Sequence, residues 1–140
     1  MRYWDSSALV ALFVQQTATN EMRRLYSQDP SVVTWTLSEI EIFSALCRLE
    51  RDGDLDPDGF QRAVERLDEL VQAVDTVNAF DAVKVRARRL LRTHVLRAAD
   101  ALQLGAALIC TSDDPSRCPF VCLDDRLAAA ARREGFAVLP

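Results

Sequence analysis

With 140 residues, of which 49% are hydrophobic, the chain is long enough to bury a sizeable core, and a single domain over residues 1–140 is expected. The formal net charge of -4 gives no general attraction to nucleic acid, so any such binding needs a local basic patch or a bound metal. No apolar run approaches the roughly eighteen residues of a membrane span, and the start lacks a cationic leader followed by an apolar core; a cytoplasmic location is the expectation.

In chain order, Met1 to Trp4 reads as a short strand ending at Asp5, and SSALVALFVQQ follows with Leu9, Leu12 and Phe13 at helical spacing. Asp5 has a local explanation as a helix N-cap, with Ser6 and Ser7 as rivals. Thr19 to Ser27 predicts a second short helix, and Asp29-Pro30 a turn before the strand SVVTWT. The next helix, TLSEIEIFSALCRLERDG, carries two overlapping capping boxes, Thr36 with Glu39 and Ser38 with Glu41, of which only one can form. If Thr36 is the cap, Glu39 is used locally. Glu41, about 200° round the helix, is then free to point elsewhere. It shares a face with the small residues Ser44 and Ala45, which leave space beside it.

Asp54 to Gly59 reads as an acidic turn, and Phe60, Val64, Leu67, Leu70 or Val71, and Val74 stripe one face of a further helix. Val74 to Ala79 fits a third strand. Ala82 to Leu96 predicts a basic helix, with Lys84, Arg86, Arg88, Arg89, Arg92 and Arg97 uninterrupted by any acid. Lys84 is the only lysine among 17 basic residues; the other sixteen are arginines, which favour forked contacts with phosphate and carboxylate. Arg97 to Cys110 reads as a buried helix, rich in Ala and Leu on nearly every face, with Asp100 in its first turns. A carboxylate taken out of water must be paired, protonate or hold a cation. Phe120 to Leu123 is then a short strand, Asp124 opens the helix DDRLAAAARREG, and Ala137 to Leu139 closes the chain as a strand. The four cysteines lack the CxxC pairing of a zinc site and read as buried free thiols, and His94 as a surface or packing residue.

Strands alternating with helices predict an α/β sandwich with a mostly parallel sheet, whose ligands gather at the carboxyl ends of the strands. Asp5 and Asp124 sit at such ends. Glu41 and Asp100 sit near helix starts, which lie at the same edge. Capping explains each acid singly but requires no convergence of four.

The segments YWDSSALVAL, LSEIEIFSALCR, LRAADALQLGAAL and FVCLDDRLAAAARREGFAV, in this order from one end to the other, resemble the PIN-domain ribonucleases, and more narrowly the VapC toxins of bacterial toxin-antitoxin pairs. The resemblance implies a PIN-like three-layer α/β/α sandwich and an acidic site at Asp5, Glu41, Asp100 and Asp124. It selects Glu41 over Glu39, because the family's acid precedes a hydrophobic pair and Ser-Ala-Leu, here Ile42, Phe43 and Ser44 to Leu46. Ser6 and Ser7 would stand beside the first acid. The chain departs from many relatives in carrying Cys122 where they have serine or threonine, and Asp125 where a basic residue is common. A structured RNA target such as tRNA, a homodimer and a small VapB-like antitoxin covering the acidic groove are further implications of the resemblance.

Four carboxylates at close range repel one another, and no lysine or arginine is obliged to neutralise them, so a divalent metal is the economical solution. Oxygen-only ligands favour Mg²⁺ or Mn²⁺ over zinc. The expected function is metal-dependent endoribonuclease, with Asp5, Asp100 and Asp124 as metal ligands and Glu41 as ligand or water-orienting base. Arg86, Arg89, Arg92 and Arg97 are candidates for gripping the RNA backbone or a dimer partner. The alternative is a PIN-like module that binds RNA or protein without cutting. A haloacid-dehalogenase-like phosphatase would carry a second acid where Ser7 stands, a receiver domain would need a late lysine, and a dinucleotide-binding module would need a glycine-rich first turn.

Overall fold

The computed structural model describes residues 1–140. The chain runs β1 (Arg2–Trp4), α1 (Ser6–Phe13), α2 (Thr19–Gln28), β2 (Val32–Trp35), α3 (Ser38–Arg51), α4 (Pro57–Ala73), β3 (Asp75–Val77), α5 (Phe80–Thr93), α6 (Ala98–Cys110), β4 (Phe120–Val121), α7 (Asp125–Arg133) and β5 (Val138–Leu139). The sheet has the order β3-β2-β1-β4-β5, with every pairing parallel. From β1 the chain first builds outward through β2 and β3, then returns to build β4 and β5 on the other side. The order therefore reverses between β1 and β4, and a crevice opens outside the carboxyl ends of those two strands.

Both faces of the sheet are covered at its centre, so β2 and β4 are buried on both sides, as are Tyr3 and Trp4 of β1, whereas β3 at one edge exposes Asp75 and Thr76. Alternation along β1 sends Tyr3 into the layer formed with α5, α6 and α7, and Trp4 into the layer formed with α1 to α4. Tyr3 stacks on Phe120 of β4 at a centroid distance of 5.3 Å, while Val121 joins the opposite layer with Trp4. The expected α/β/α sandwich is what forms.

Several local expectations change. Neither capping box of α3 exists: the helix starts at Ser38 behind Leu37, which makes no side-chain cap. Thr36 instead extends the sheet, its N–H bonding the Val77 carbonyl at 3.0 Å, and Ser38 is drawn inward by a buried bond of 2.7 Å to Thr34. A tertiary partner has outbid the local cap. The presumed turn over Asp54 to Gly59 already contains a helix start, with Asp56 capping Gly59 N at 2.6 Å and Pro57 at the first helical position.

α6 is packed hard against α5. A Cβ built on Gly105 would lie 3.0 Å from the Val83 carbonyl oxygen and 3.3 Å from Ala87 N, both backbone atoms of α5. Gly105 is what allows the approach. Gly105→Val should therefore force the helices apart and lower the melting temperature, at a cost on the order of 1–3 kcal/mol or more. Thermal unfolding followed by circular dichroism tests this, and an unchanged midpoint would show that the two helices are not held at contact distance.

Candidate active site

Asp5, Glu41, Asp100 and Asp124 line one cleft of about 480 Å³ together with Ser6 and Ser7. The cleft lies at the carboxyl ends of β1 and β4, where the strand order reverses. Ser44 and Ala45 border it beside Glu41, supplying the open space that their size predicts.

Each acid is delivered by a different piece of local structure. Asp5 continues β1, its N–H bonding the Val121 carbonyl of β4 at 3.0 Å, and it is also the N-cap of α1. Its Oδ2 accepts from Ser7 N at 3.1 Å and from Ser7 Oγ, which in turn accepts from Leu123 N at 3.0 Å. Ser7 thus ties the start of α1 to the segment that carries Asp124. Asp124 caps α7, with Oδ1 accepting from Leu127 N at 2.8 Å. Asp100 stands three residues into α6, and its Oδ2 accepts from Arg97 N at 3.1 Å. Glu41 projects from α3, where its Oε2 accepts from Ser6 Oγ at 2.7 Å and from Gln103 Nε2 at 2.9 Å.

One oxygen of each carboxylate is thereby anchored by protein donors. The other is left open at Glu41 Oε1, Asp100 Oδ1 and Asp124 Oδ2, which accept no hydrogen bond from the protein, while Asp5 Oδ1 takes a long bond from Ser6 Oγ at 3.4 Å. No three acids stand close enough to coordinate one ion directly. The donor set nevertheless fits a hard divalent cation, since Mg²⁺ is ordinarily held by one or two carboxylates with waters completing its shell.

The burial of these groups differs from expectation. Asp100 is only half-buried, because the first turn of α6 emerges from the core into the cleft. The deeply buried acid is Asp5, 3% exposed, and burial raises its pKa above the ordinary 3.8 despite opposing bonds from Ser7. Burial also raises Glu41 above its ordinary 4.5, with Gln103 and Ser6 pulling it back down and the charges of Asp5 and Asp100 adding to the rise. Cys122 stands 3.6 Å from Asp5 Oδ2, and burial followed by the Asp5 charge pushes its thiol far above the usual range, so it stays a protonated neighbour. Asp125 is exposed and lies outside the cleft lining.

The arginine run divides. Arg86 is paired with Asp113, and Arg89 with Glu134, which also meets His94 Nε2 at 2.6 Å. Arg92 and Arg97 are exposed and without acid partners, and none of the four lines the cleft. The cleft's own cation is Arg48, two turns beyond Glu41 on the same face of α3, which sequence reasoning passed over. Gln103 was passed over too. Its signal was a lone amide in an Ala-Leu helix, three residues after Asp100 and hence on the same face.

The PIN domain family model matches residues 2–133. The chain belongs to the PIN domain family. As a PIN domain it is 30% identical over 138 residues to Ribonuclease VapC45 and to Ribonuclease VapC49, both from Mycobacterium tuberculosis strains, covering 99% of this chain and 94% of each relative. Among solved structures it resembles M. tuberculosis VapC20, described as a sarcin-ricin loop cleaving toxin, with a TM-score of 0.67, 20% identity and full coverage of both chains. A toxin-antitoxin complex from Klebsiella pneumoniae shares the fold at a TM-score of 0.66 and 13% identity, covering 100% of this chain and 97% of that one.

The raised Asp5 pKa makes a stability prediction for this PIN domain. The folded state binds the Asp5 proton more tightly than the unfolded state does, so ionised Asp5 costs stability above the ordinary carboxylate range and the cost grows until pH passes the folded value. Asn keeps an acceptor for the Ser7 donors and carries no charge. In EDTA, Asp5→Asn should melt above the wild type at pH 7.5, with the gap closing as pH falls toward 4. Equal midpoints at neutral pH, or a gap that widens on acidification, would contradict this.

Proposed function

We propose that this PIN domain is a Mg²⁺- or Mn²⁺-dependent endoribonuclease of the VapC type, a toxin that hydrolyses RNA phosphodiester bonds and is neutralised by a cognate antitoxin. The observation that carries the reading is the convergence of four carboxylates on one cleft, each tethered by one oxygen. The similarity to VapC ribonucleases over nearly the whole chain supports it.

Asp5, Asp100 and Asp124 would hold the cation, one or two of them directly and the rest through waters of its shell. When bound, such a cation supplies a Lewis acid for phosphoryl oxygens and added acidity for a water nucleophile. Glu41, with its pKa raised and its Oε2 fixed, is suited to present Oε1 either as a further ligand or to orient that water and take its proton. Asp5, most deeply set, gains most from a neutralising cation, because its charge is the one furthest from water.

A structured RNA such as tRNA remains the proposed substrate class, reached in the cytoplasm. The phosphate backbone would be met first by Arg48 at the cleft, with Arg92 and Arg97 as further contacts; Arg86 and Arg89 would have to exchange acid partners to join them. A protein partner is supported by Ile40, which lines the cleft and is 62% exposed, three residues from Leu37 and from Phe43, both of which are exposed as well. We assign that role to the VapB-like antitoxin. A homodimer is proposed through α5 and the segment that follows it, where Phe80, Val85, Leu91 and Val95 are all exposed.

Two measurements test the reading. Asp100→Asn should abolish RNA cleavage and weaken Mn²⁺ binding in calorimetry while the protein stays folded; undiminished cleavage would remove Asp100 from the site, and absence of Mn²⁺ binding by the wild type would favour the non-cleaving module. Arg48→Ala should weaken RNA binding and lower the slope of log affinity against log salt by about 0.7 to 0.9, the contribution of one phosphate contact. An unaltered slope would exclude Arg48 from the RNA path.

A further inference from the structure

Gln103 is 1% exposed, on α6 among Leu104, Ala106 and Ala107. A buried amide costs free energy unless its groups are bonded, and here all of them are. Oε1 accepts from Tyr3 Oη at 2.8 Å, and Nε2 donates to Ser38 Oγ at 2.8 Å and to Glu41 Oε2 at 2.9 Å.

The direction of each proton follows from the far end of the chain of bonds. Thr34 Oγ1 donates to the Trp4 carbonyl oxygen at 2.7 Å, which can only accept. Thr34 therefore receives the Ser38 hydroxyl proton at 2.7 Å, and Ser38 has only its lone pairs left to offer Gln103. Tyr3, held protonated by burial and by the nearby charges of Asp5 and Glu41, must donate. The amide cannot flip. A reversed amide would set its oxygen against both the Glu41 carboxylate and the Ser38 lone pairs.

We propose that Gln103 is a positioning residue of the acidic cleft: its amide, with Ser6, holds Glu41 by Oε2 and so dictates that Oε1 is the oxygen available to a cation and a water. This rests on the nuclease reading and adds the residue that decides how its fourth acid is presented. Without Gln103, Ser6 alone holds Oε2, and the carboxylate is free to turn about its last torsion. Every approach of a cation must then order it again. Loss of such an outer hydrogen bond to a ligand typically lowers metal affinity about 10- to 100-fold.

Tyr3 supplies the control. Tyr3→Phe removes a buried bond from the same amide without touching Glu41, and Nε2 keeps both of its acceptors. Stability should fall while Mn²⁺ affinity stays at the wild-type value. Gln103→Met, close in shape and without donors, should lower Mn²⁺ affinity in calorimetry by about tenfold or more and reduce kcat with KM for RNA little changed. A purely structural role predicts the opposite pattern, in which affinity follows the melting temperature in both variants.

The wild type provides a reading that does not depend on how Gln103→Met folds. On Mg²⁺ titration, the side-chain amide signal of Gln103 should shift with the midpoint of metal binding in nuclear magnetic resonance. A silent amide, or a folded Gln103→Met with undiminished Mn²⁺ affinity, overturns the proposal. The nuclease reading fails separately, and takes this proposal with it, when wild-type protein binds no Mn²⁺ at all.

Discussion

Like charges confined in a crevice would scatter into solvent unless something holds them. Here each carboxylate is restrained by donors on one of its two oxygens: Ser7 for Asp5, Ser6 and Gln103 for Glu41, the Arg97 backbone for Asp100 and the Leu127 backbone for Asp124. A bond from a neutral donor to an ionised acceptor is stronger than one between neutral groups, so repulsion does not dislodge them. The remaining oxygens keep the crevice negative. The fold serves this arrangement through the reversal of strand order at β1 and β4, which puts two strand ends and their following helix starts side by side.

Much of this was legible in the sequence. Strand, acid and helix follow one another at Asp5 and again at Asp124, and both acids do cap helices while also lining the cleft. The structural role and the site role coincide, because a cap side chain already lies at the end of the sheet. The apolar helix around Asp100 marks it as the buried acid, but periodicity reports the mean surroundings of a helix and not the point at which it leaves the core. Asp5 bears the burial, and no local pattern announces that.

The α3 start shows the other limit. Two capping boxes fit the spacing of Thr36, Ser38, Glu39 and Glu41, yet neither forms. Ser38 finds Thr34 and Gln103, while Glu41 finds Ser6 and Gln103, partners up to 65 residues distant in the chain. Long-range partners of this kind depend on topology, which spacing does not carry. The same reason hides the split in the arginine run, where Asp113 and Glu134 occupy two of the guanidinium groups from beyond the helix itself.

A helix coated in alanine and leucine has little to tell it which way round to lie, since turning it by one residue, about 100°, trades one small apolar side chain for another. α6 escapes that degeneracy through Gly105, which fits against the backbone of α5 where a side chain would not, and through one wet-seeking group. Only one azimuth seats the amide of Gln103 between Tyr3 and Ser38, and that azimuth also swings Asp100, one turn earlier, over the crevice. The polar bolt through the core is thus an indexing pin: it converts a lubricated contact between greasy surfaces into a keyed one, and the active carboxylate is clocked into position by the same part that closes the joint.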